Sequence, residues 1–244
     1  MSSYSSSKAR KVAVDLLSGE TDRDQQRKVG ASNMSNPCTY CLARDMAAML
    51  DSGIEPAPRG KYFMGSVIGT AIHNLLEERA KENPDYLPEI RVELGEIPGY
   101  GVIKSTSDLY IISKSAVNDW KTTTREKLKW LRMVPDSEPS EYEFDGLTQA
   151  RYKVKTYLTQ GQLYGMGMER AGYKVKTVSL IFIARDAKTT EDIWAYTVDY
   201  NRKVAEVAFD RAARIWQALV TGKELDTFKS NPLCYQCSVE GRLK

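Results

Sequence analysis

Two short cysteine motifs give the most specific chemical signal in this 244-residue chain. Cys38 and Cys41 form one CxxC pair, and Cys234 and Cys237 form the other. Two thiolates with this spacing can bend toward one ion, and two such pairs complete a tetrahedral all-sulfur ligand set. Four buried, reduced cysteines are the alternative. We predict a structural metal site, because four cysteine ligands leave no position open for exchange. An ion shared between the pairs would clip the two ends of the chain together.

Two aspartates and a lysine form a second candidate site. Asp119 and Lys121 lie at the end of one predicted strand, and Asp108 lies on the strand before it. Carboxylates on adjacent strands repel one another unless a cation lies between them, and oxygen ligands suit Mg²⁺ or Mn²⁺. Lys121 shares a strand face with Asp119, where its ammonium can polarise a water or stabilise a phosphate. These groups suit metal-assisted phosphodiester hydrolysis, although an isolated DxK triplet is more often part of a solvated strand end.

The charge balance and composition exclude several classes of protein. The chain has 35 Lys and Arg against 32 Asp and Glu, and the net charge of +3 is too small for a purely electrostatic nucleic-acid coat. A single histidine, His73, excludes zinc fingers with paired histidines, multi-histidine metal centres and HExxH proteases. No apolar run approaches the ~20 residues of a membrane span. The first residues lack the apolar core of a signal peptide, so we expect a cytoplasmic protein whose cysteines are thiols or metal ligands.

The apolar pattern predicts a mixed α/β layer fold, with a disordered polar tail over residues 1–9 and one domain over 10–244. Helices are predicted over about 36–53, 64–81, 152–170 and 201–220. Strands are predicted over 91–97, 102–112, 116–121, 175–184 and 193–198. Residues 122–150 are expected to form a long loop or lid with short helices, and the segment with the second CxxC pair a loop. The predicted apolar stripe of the second helix consists of Val67, Ile68, Ala71, Ile72, Leu75 and Leu76.

Four short motifs follow the order found in the RecB-like branch of the PD-(D/E)XK nucleases, and the chain resembles that family over about residues 36–240. Gly69-Thr-Ala-Ile-His73 resembles the GxxxH motif, and Asp108 resembles the aspartate of motif II. Asp119-Trp-Lys121 is similar to the (D/E)xK motif, and Gln160-Gly-Gln-Leu-Tyr164 resembles the QxxxY motif. The cysteines flank this core, as in the iron–sulfur members of the branch, which include AddB-type helicase-nucleases and CRISPR-associated and phage exonucleases.

The resemblance implies a restriction-endonuclease-like core, with a mixed central sheet flanked by helices and termini clipped by the four-cysteine metal site. It implies a metal-dependent exonuclease that hydrolyses phosphodiester bonds at DNA ends in recombination, repair or phage replication. In such an enzyme His73, Asp108 and Asp119 would hold Mg²⁺ or Mn²⁺. Lys121 would position the water or stabilise the phosphate, and Gln160 and Tyr164 would orient the active site and contact DNA. Glu93 could add an outer carboxylate, in competition with Glu89 and Glu96.

The chain departs from the family pattern in two respects. Ser105, Thr106 and Ser107 occupy the place where the family usually has a glycine before the aspartate of motif II. The cysteines are divided two and two, whereas the iron–sulfur members usually divide them one and three. Spacing alone slightly favours Zn²⁺, and the resemblance shifts the expectation to a [4Fe–4S] cluster with zinc as the alternative.

Basic and aromatic residues after the DxK triplet are the candidates for DNA contacts. They could bind phosphates and stack on bases of a single strand or frayed end. The candidates are Arg125, Lys127, Lys129, Trp130, Arg151 and Lys153. The expected partners are DNA and proteins of recombination or replication. Two other functions stay open: a non-catalytic module of nuclease fold that binds nucleic acid or a protein, and a structure-specific endonuclease.

Overall fold

The computed structural model describes residues 10–12, 28–51, 53–54, 56, 64–136 and 146–242; the predicted tail over residues 1–9 lies outside these ranges. The helices are α1 (Ala31–Met34), α2 (Thr39–Ala47), α3 (Met64–Ala80), α4 (Arg125–Met133), α5 (Gly146–Arg170), α6 (Arg202–Val220) and α7 (Tyr235–Val239). The strands are β1 (Tyr86–Ile97), β2 (Gly101–Ile111), β3 (Ala116–Thr123), β4 (Thr177–Ala184) and β5 (Ile193–Asp199). Short 3₁₀ turns lie at Thr190–Asp192 and Leu225–Thr227.

The five strands form one mixed sheet in the order β1-β2-β3-β4-β5. The β3–β4 pair is parallel, and the other three neighbouring pairs are antiparallel. Parallel neighbours need a crossover connection, and here α4 and α5 lie within it. The sheet flanked by helices confirms the predicted mixed α/β fold class.

The ends of several elements differ from the prediction. Cys38, rather than Asn36, is the N-cap of α2, because the Asn36 Oδ1 atom accepts a hydrogen bond from the Cys38 amide at 2.9 Å and holds the preceding loop outside the helix. α5 begins at Gly146, six residues before the predicted start at Tyr152, where Ala150 packs against α4. The helix α4 lies within the predicted lid, of which residues 137–145 fall outside the described part. Cys234 caps the short helix α7, where a loop was predicted.

The apolar stripe predicted for α3 is largely outside the core. Ala80 is the buried residue of this helix, whereas the Ile68 and Leu75 side chains are 38% and 57% exposed. α3 contacts β1, β2 and β3, with Gly69 close against Thr122 of β3, and none of the six stripe residues is buried. Within the described part of the chain, no helix combines the length and apolarity that a membrane span requires.

The long helix α5 lies close against the sheet, because its glycines allow backbone contact. A Cβ atom at Gly161 would lie 2.3 Å from the Val178 Cγ1 atom of β4, so any side chain at this position would push the helix away. Gln160 and Tyr164 on the same helix are buried at this interface. The close packing thus fixes the position of the predicted QxxxY pair relative to β3 and β4.

Candidate active site and cysteine centre

The predicted catalytic aspartates lie where β2 and β3 separate. The ladder between these strands ends at the pair Leu109 and Asn118, just before Asp108 and Asp119 would face each other. Beyond that point the Asp108 Oδ2 atom accepts a hydrogen bond from the Trp120 amide at 2.7 Å. The carboxylate thus satisfies a donor that a strand carbonyl would otherwise satisfy. This hydrogen bond fixes the orientation of Asp108 at the point where the two strands stop pairing.

Asp119 and Lys121 form an ion pair in the interior. The Asp119 side chain is fully buried, and the Lys121 Nζ atom lies 2.6 Å from its Oδ2 atom. The Oδ1 atom is buried and has no hydrogen-bond donor among the described residues. Burial raises the pKa of Asp119, Lys121 opposes this, and the nearby Asp108 carboxylate raises it further. A buried carboxylate oxygen without a donor, beside a second carboxylate, is an environment that a bound cation stabilises.

Lys121 stays protonated in this environment. Burial lowers its pKa, but the Asp119 and Asp108 carboxylates outweigh that effect and leave a net increase. The ring of Tyr157, on α5, lies 4.9 Å from the Lys121 Nζ atom and adds a cation–π contact. Tyr157 was not among the residues singled out from the sequence. Its position one turn before Gln160 is the signal that could have identified it.

His73 and Glu89 complete the group around Asp108. The His73 Nδ1 atom lies 3.7 Å from the Asp108 Oδ1 atom. His73, Glu89 and Asp108 each offer one ligand atom, and these atoms all lie within 4.8 Å of one another. Glu89 has a φ of 45°, in the left-handed region that glutamate rarely adopts, and such backbone strain is concentrated at functional sites. The structure therefore adds Glu89 to the predicted ligands.

The register of the β1–β2 hairpin explains why Glu89 was not selected from the sequence. Regular pairing from Ile97 and Gly101 would place Ile90 opposite Asp108. A bulge between Glu93 and Gly95 shifts the register by one residue, so that Glu89 faces Asp108 instead. The sequence-based candidate Glu93 lies 3.7 Å from Arg170 in an exposed ion pair.

The glycine of the GxxxH motif has a steric role. A Cβ atom at Gly69 would lie 2.9 Å from the Thr122 Oγ1 atom, so glycine allows α3 to contact β3 directly after Lys121. The Arg185 Nη1 atom donates a hydrogen bond to the Gly65 carbonyl at 3.0 Å and also holds the start of α3 against β4. His73 follows Gly69 by one helical turn on the same face, which carries its ring to Asp108.

Gln160 and Tyr164 form a buried hydrogen-bonded pair. The Gln160 Nε2 atom donates to the Tyr164 hydroxyl at 2.6 Å. Burial, followed by the Asp119 and Asp108 charges, raises the pKa of Tyr164 well above its ordinary value, so the phenol stays neutral. The structure thus brings the QxxxY pair close to the two aspartates.

The predicted DNA-contacting residues lie on α4 and the first turns of α5. Lys127 on α4 and Lys153 on α5 are both exposed and lie near each other. Desolvation lowers the pKa of Lys153, and the positive charge of Lys127 lowers it further. Arg125 is paired instead with Asp192, with Nε and Oδ2 2.9 Å apart. The remaining candidates are the exposed Lys129, the half-buried Arg151, and Trp130, whose partly exposed ring covers Gly146.

The four cysteines meet in one buried cluster, as predicted. The Cys38 Sγ atom lies 3.6 Å from that of Cys237, and the Cys41 Sγ atom lies 3.5 Å from Cys234 and 3.6 Å from Cys237. None of the four forms a disulfide, and their sulfur atoms all lie within 4.8 Å of one another. The cluster joins the N-terminal end of α2 to that of α7.

Two solved structures share the fold of this chain. One is a phage-related exonuclease from Haemophilus somnus 129PT, with a TM-score of 0.52, 12% identity, and coverage of 87% of this chain and 94% of that chain. The other is an alkaline exonuclease from Laribacter hongkongensis, with a TM-score of 0.50, 9% identity, and coverage of 91% and 97%. The chain thus shares its fold with these two exonucleases. No protein-family model and no curated protein matches it by sequence.

The contact at Gly69 generates a first prediction. Gly69→Ala should weaken Mn²⁺ binding at least about tenfold, because the added methyl displaces α3 and moves His73 away from Asp108. Thr122→Ala removes the obstructing Oγ1 atom and should restore most of the affinity in the double variant. The measurement is the Kd for Mn²⁺ of the two single variants and the double variant. Equal affinity of Gly69→Ala with and without Thr122→Ala would contradict the steric explanation.

The ligand set generates a second prediction, for cation binding in the absence of substrate. Mn²⁺ at 100 times its Kd should stabilise the fold by about 2.7 kcal/mol, visible as a rise in Tm. The rise should be larger at pH 8 than at pH 6, because the raised pKa of Asp119 allows a proton to compete with the cation at the lower pH. Asp108→Asn should lose the rise, and Asp210→Asn, on the exposed surface of α6, should keep it. A rise of the same size in both variants would place the cation elsewhere.

Proposed function

We propose that this protein is a metal-dependent DNA exonuclease of the RecB-like PD-(D/E)XK class. The observation that carries the proposal is the convergence of His73, Glu89 and Asp108 beside the buried pair of Asp119 and Lys121. The exonuclease fold found in two solved structures supports the same class of activity. Chemistry at DNA ends is the finer part of the proposal, as is a role in recombination, repair or phage replication within a bacterial or phage-infected cell.

The residues of the site fit Mg²⁺ or Mn²⁺. Carboxylate oxygens are the ligands that these cations prefer, and Mn²⁺ also accepts an imidazole nitrogen. His73, Asp108 and Asp119 would hold the ion, with Glu89 as a further carboxylate. The buried Oδ1 atom of Asp119, which has no donor among the described residues, supports a cation at this position. When bound, such an ion would act as a Lewis acid toward a phosphate oxygen and would lower the pKa of a coordinated water.

Lys121 is the group of this chain that would stabilise charge on the reacting phosphate. Its ammonium is held between Asp119 and the ring of Tyr157, so it is oriented before substrate arrives. A preoriented cation in a site with little water stabilises developing negative charge more strongly than a solvated one does. Gln160 and Tyr164 stay neutral beside the aspartates and would act as positioning residues for them.

The basic surface of α4 and α5 would bind the DNA backbone near the active site. Lys127 and Lys153 are exposed and close enough to repel each other, and a phosphate between them would relieve that repulsion. α4 begins directly after β3, so this surface is continuous in sequence with Lys121. Trp130 could stack on a base of a single-stranded or frayed end. We further propose that residues 10–244 act as one domain, since the two CxxC pairs meet.

A nuclease assay tests the activity. Purified protein with Mg²⁺ or Mn²⁺ should release nucleotides from end-labelled linear DNA and leave covalently closed circular DNA intact. Asp119→Asn and Lys121→Ala should each lower the rate about 100-fold or more, because each removes a charge from the reacting centre. The matched controls Asp210→Asn and Lys114→Ala carry the same changes at exposed positions and should keep full activity.

The outcomes of this assay separate the alternatives. Absence of nucleotide release with either metal, together with retained DNA binding, would favour a non-catalytic module over an enzyme. Cleavage of closed circles would indicate an endonuclease. Full activity in both active-site variants would show that the reaction uses other residues.

The basic surface generates a separate prediction. The double variant Lys127→Ala/Lys153→Ala should bind a single-stranded oligonucleotide more weakly. The slope of log Kd against log salt concentration should decrease by about one for each lost phosphate contact. Fluorescence anisotropy without divalent metal, at several salt concentrations, measures both effects. Lys114→Ala, in the turn between β2 and β3, serves as the control. An unchanged salt slope in the double variant would show that DNA follows another path.

A further inference from the structure

We propose that the four cysteines bind one zinc ion, and that the [4Fe–4S] cluster implied by the family resemblance does not fit this chain. The proposal concerns a centre separate from the nuclease residues and does not depend on the proposed activity. It rests on the distances between the sulfur atoms, on the equivalence of the two cysteine pairs, and on the contacts that fix one of them.

The distances between the sulfur atoms match a single ion. Four sulfurs around a tetrahedral zinc with bonds of about 2.3 Å lie about 3.8 Å from one another. Three of the sulfur–sulfur distances here, Cys38–Cys237, Cys41–Cys234 and Cys41–Cys237, are 3.5 to 3.6 Å, and every pair of the four lies within 4.8 Å. In a four-iron cluster each sulfur binds a different iron at a different corner, which separates the sulfurs by about 6 Å. The cluster would need an opening that these four side chains do not provide.

The two cysteine pairs are structurally equivalent. Cys38 caps α2 with φ and ψ of −74° and 109°, and Cys234 caps α7 with −75° and 110°. Cys41 and Cys237 follow at the same position in the first turn of each helix. Each pair thus presents two sulfurs in the same way, and two such halves facing each other complete a tetrahedron. This two-and-two arrangement suits one ion and differs from the one-and-three division of the iron–sulfur members.

The loop before Cys38 is held by contacts that do not involve a metal. The Arg211 Nη2 atom donates to the carbonyls of Met34 and Asn36 at 2.7 and 2.5 Å. The Tyr152 hydroxyl donates to the Asn36 Oδ1 atom at 3.0 Å, and the same oxygen accepts the Cys38 amide. Moving Cys38 outward to the spacing of a cluster would break these bonds. They therefore keep the centre at the size of one ion.

Donors and a positive charge near the sulfurs match the charge of the centre. Zn²⁺ with four thiolates carries a net charge of −2, which neighbouring donors and cations must offset. The backbone N–H of Asn231 donates a hydrogen bond to the Cys38 Sγ atom at 3.4 Å. The guanidinium of Arg211, itself partly buried, lies near Cys38 and supplies positive charge.

Metal analysis of anaerobically purified protein tests the proposal. Cells supplied with both iron and zinc should yield colourless protein with about one zinc per chain and no iron. Metal-free protein incubated anaerobically with iron and sulfide should develop no band near ~400 nm. Exchange with Co²⁺ should give the intense visible spectrum of a tetrahedral cobalt–thiolate site. About four irons per chain, with sulfide and a brown colour, would overturn the proposal.

Variants test the ligand set without reference to nuclease activity. Cys237→Ser should lose the zinc and have a lower Tm. Ser238→Ala, at the neighbouring exposed position, should retain the zinc and the original Tm. Cys237→His should retain the zinc, because zinc accepts three sulfurs and one nitrogen. This variant keeps the test informative if Cys237→Ser fails to fold. Protein isolated without any metal, whose Tm is unchanged by Cys237→Ser, would overturn the proposal and indicate four buried thiols.

Discussion

The burial of Asp119 is the constraint on which the rest of the proposed active site depends. A carboxylate without access to water needs positive charge, and Lys121 supplies only part of it, since one oxygen of Asp119 has no donor among the described residues. Asp108 beside it increases the demand. The surrounding chain therefore brings together His73 and Glu89, which favour a divalent cation. A hydrophobic residue at position 119 would pack more easily, so the buried carboxylate supports the proposed cation site.

The helix α5 connects this site to the cysteine centre. Near its start, Tyr152 binds the Asn36 side chain in the loop before Cys38. Five residues later Tyr157 covers Lys121, and Gln160 with Tyr164 follows beside the aspartates. One rigid helix, held against β4 by the contact at Gly161, thus positions residues of both centres. A metal at the cysteines would fix the first turns of this helix and thereby support the orientation of Lys121.

Sequence patterns predicted most of the elements, because strands and helices here follow local apolar periodicity. The strand β2, the buried strand β4 and the helix α6 were all predicted close to their observed limits, whereas β1 begins at Tyr86, five residues before its predicted start at Arg91. The other errors lie where polar segments become ordered by tertiary contact. The first turns of α5 and the helix α7 are polar, and they are helical because Ala150 packs against α4 and Cys237 is buried in the cysteine cluster.

The sequence alone determined which residue types were available for chemistry: one histidine, two CxxC pairs, the DxK triplet and the QxxxY pair, each defined by short-range spacing. Tertiary structure decided their geometry. A bulge near Gly95 selected Glu89 as the partner of Asp108, and the close approach at Gly69 placed His73 beside them. The spacing of the cysteines indicated a metal centre but did not distinguish a single ion from a four-iron cluster. The distance between the two pairs, which are nearly two hundred residues apart, is set by the packing of α2, α5, α6 and the C-terminal loop. Local spacing determines the ligands, and long-range packing determines the space between them.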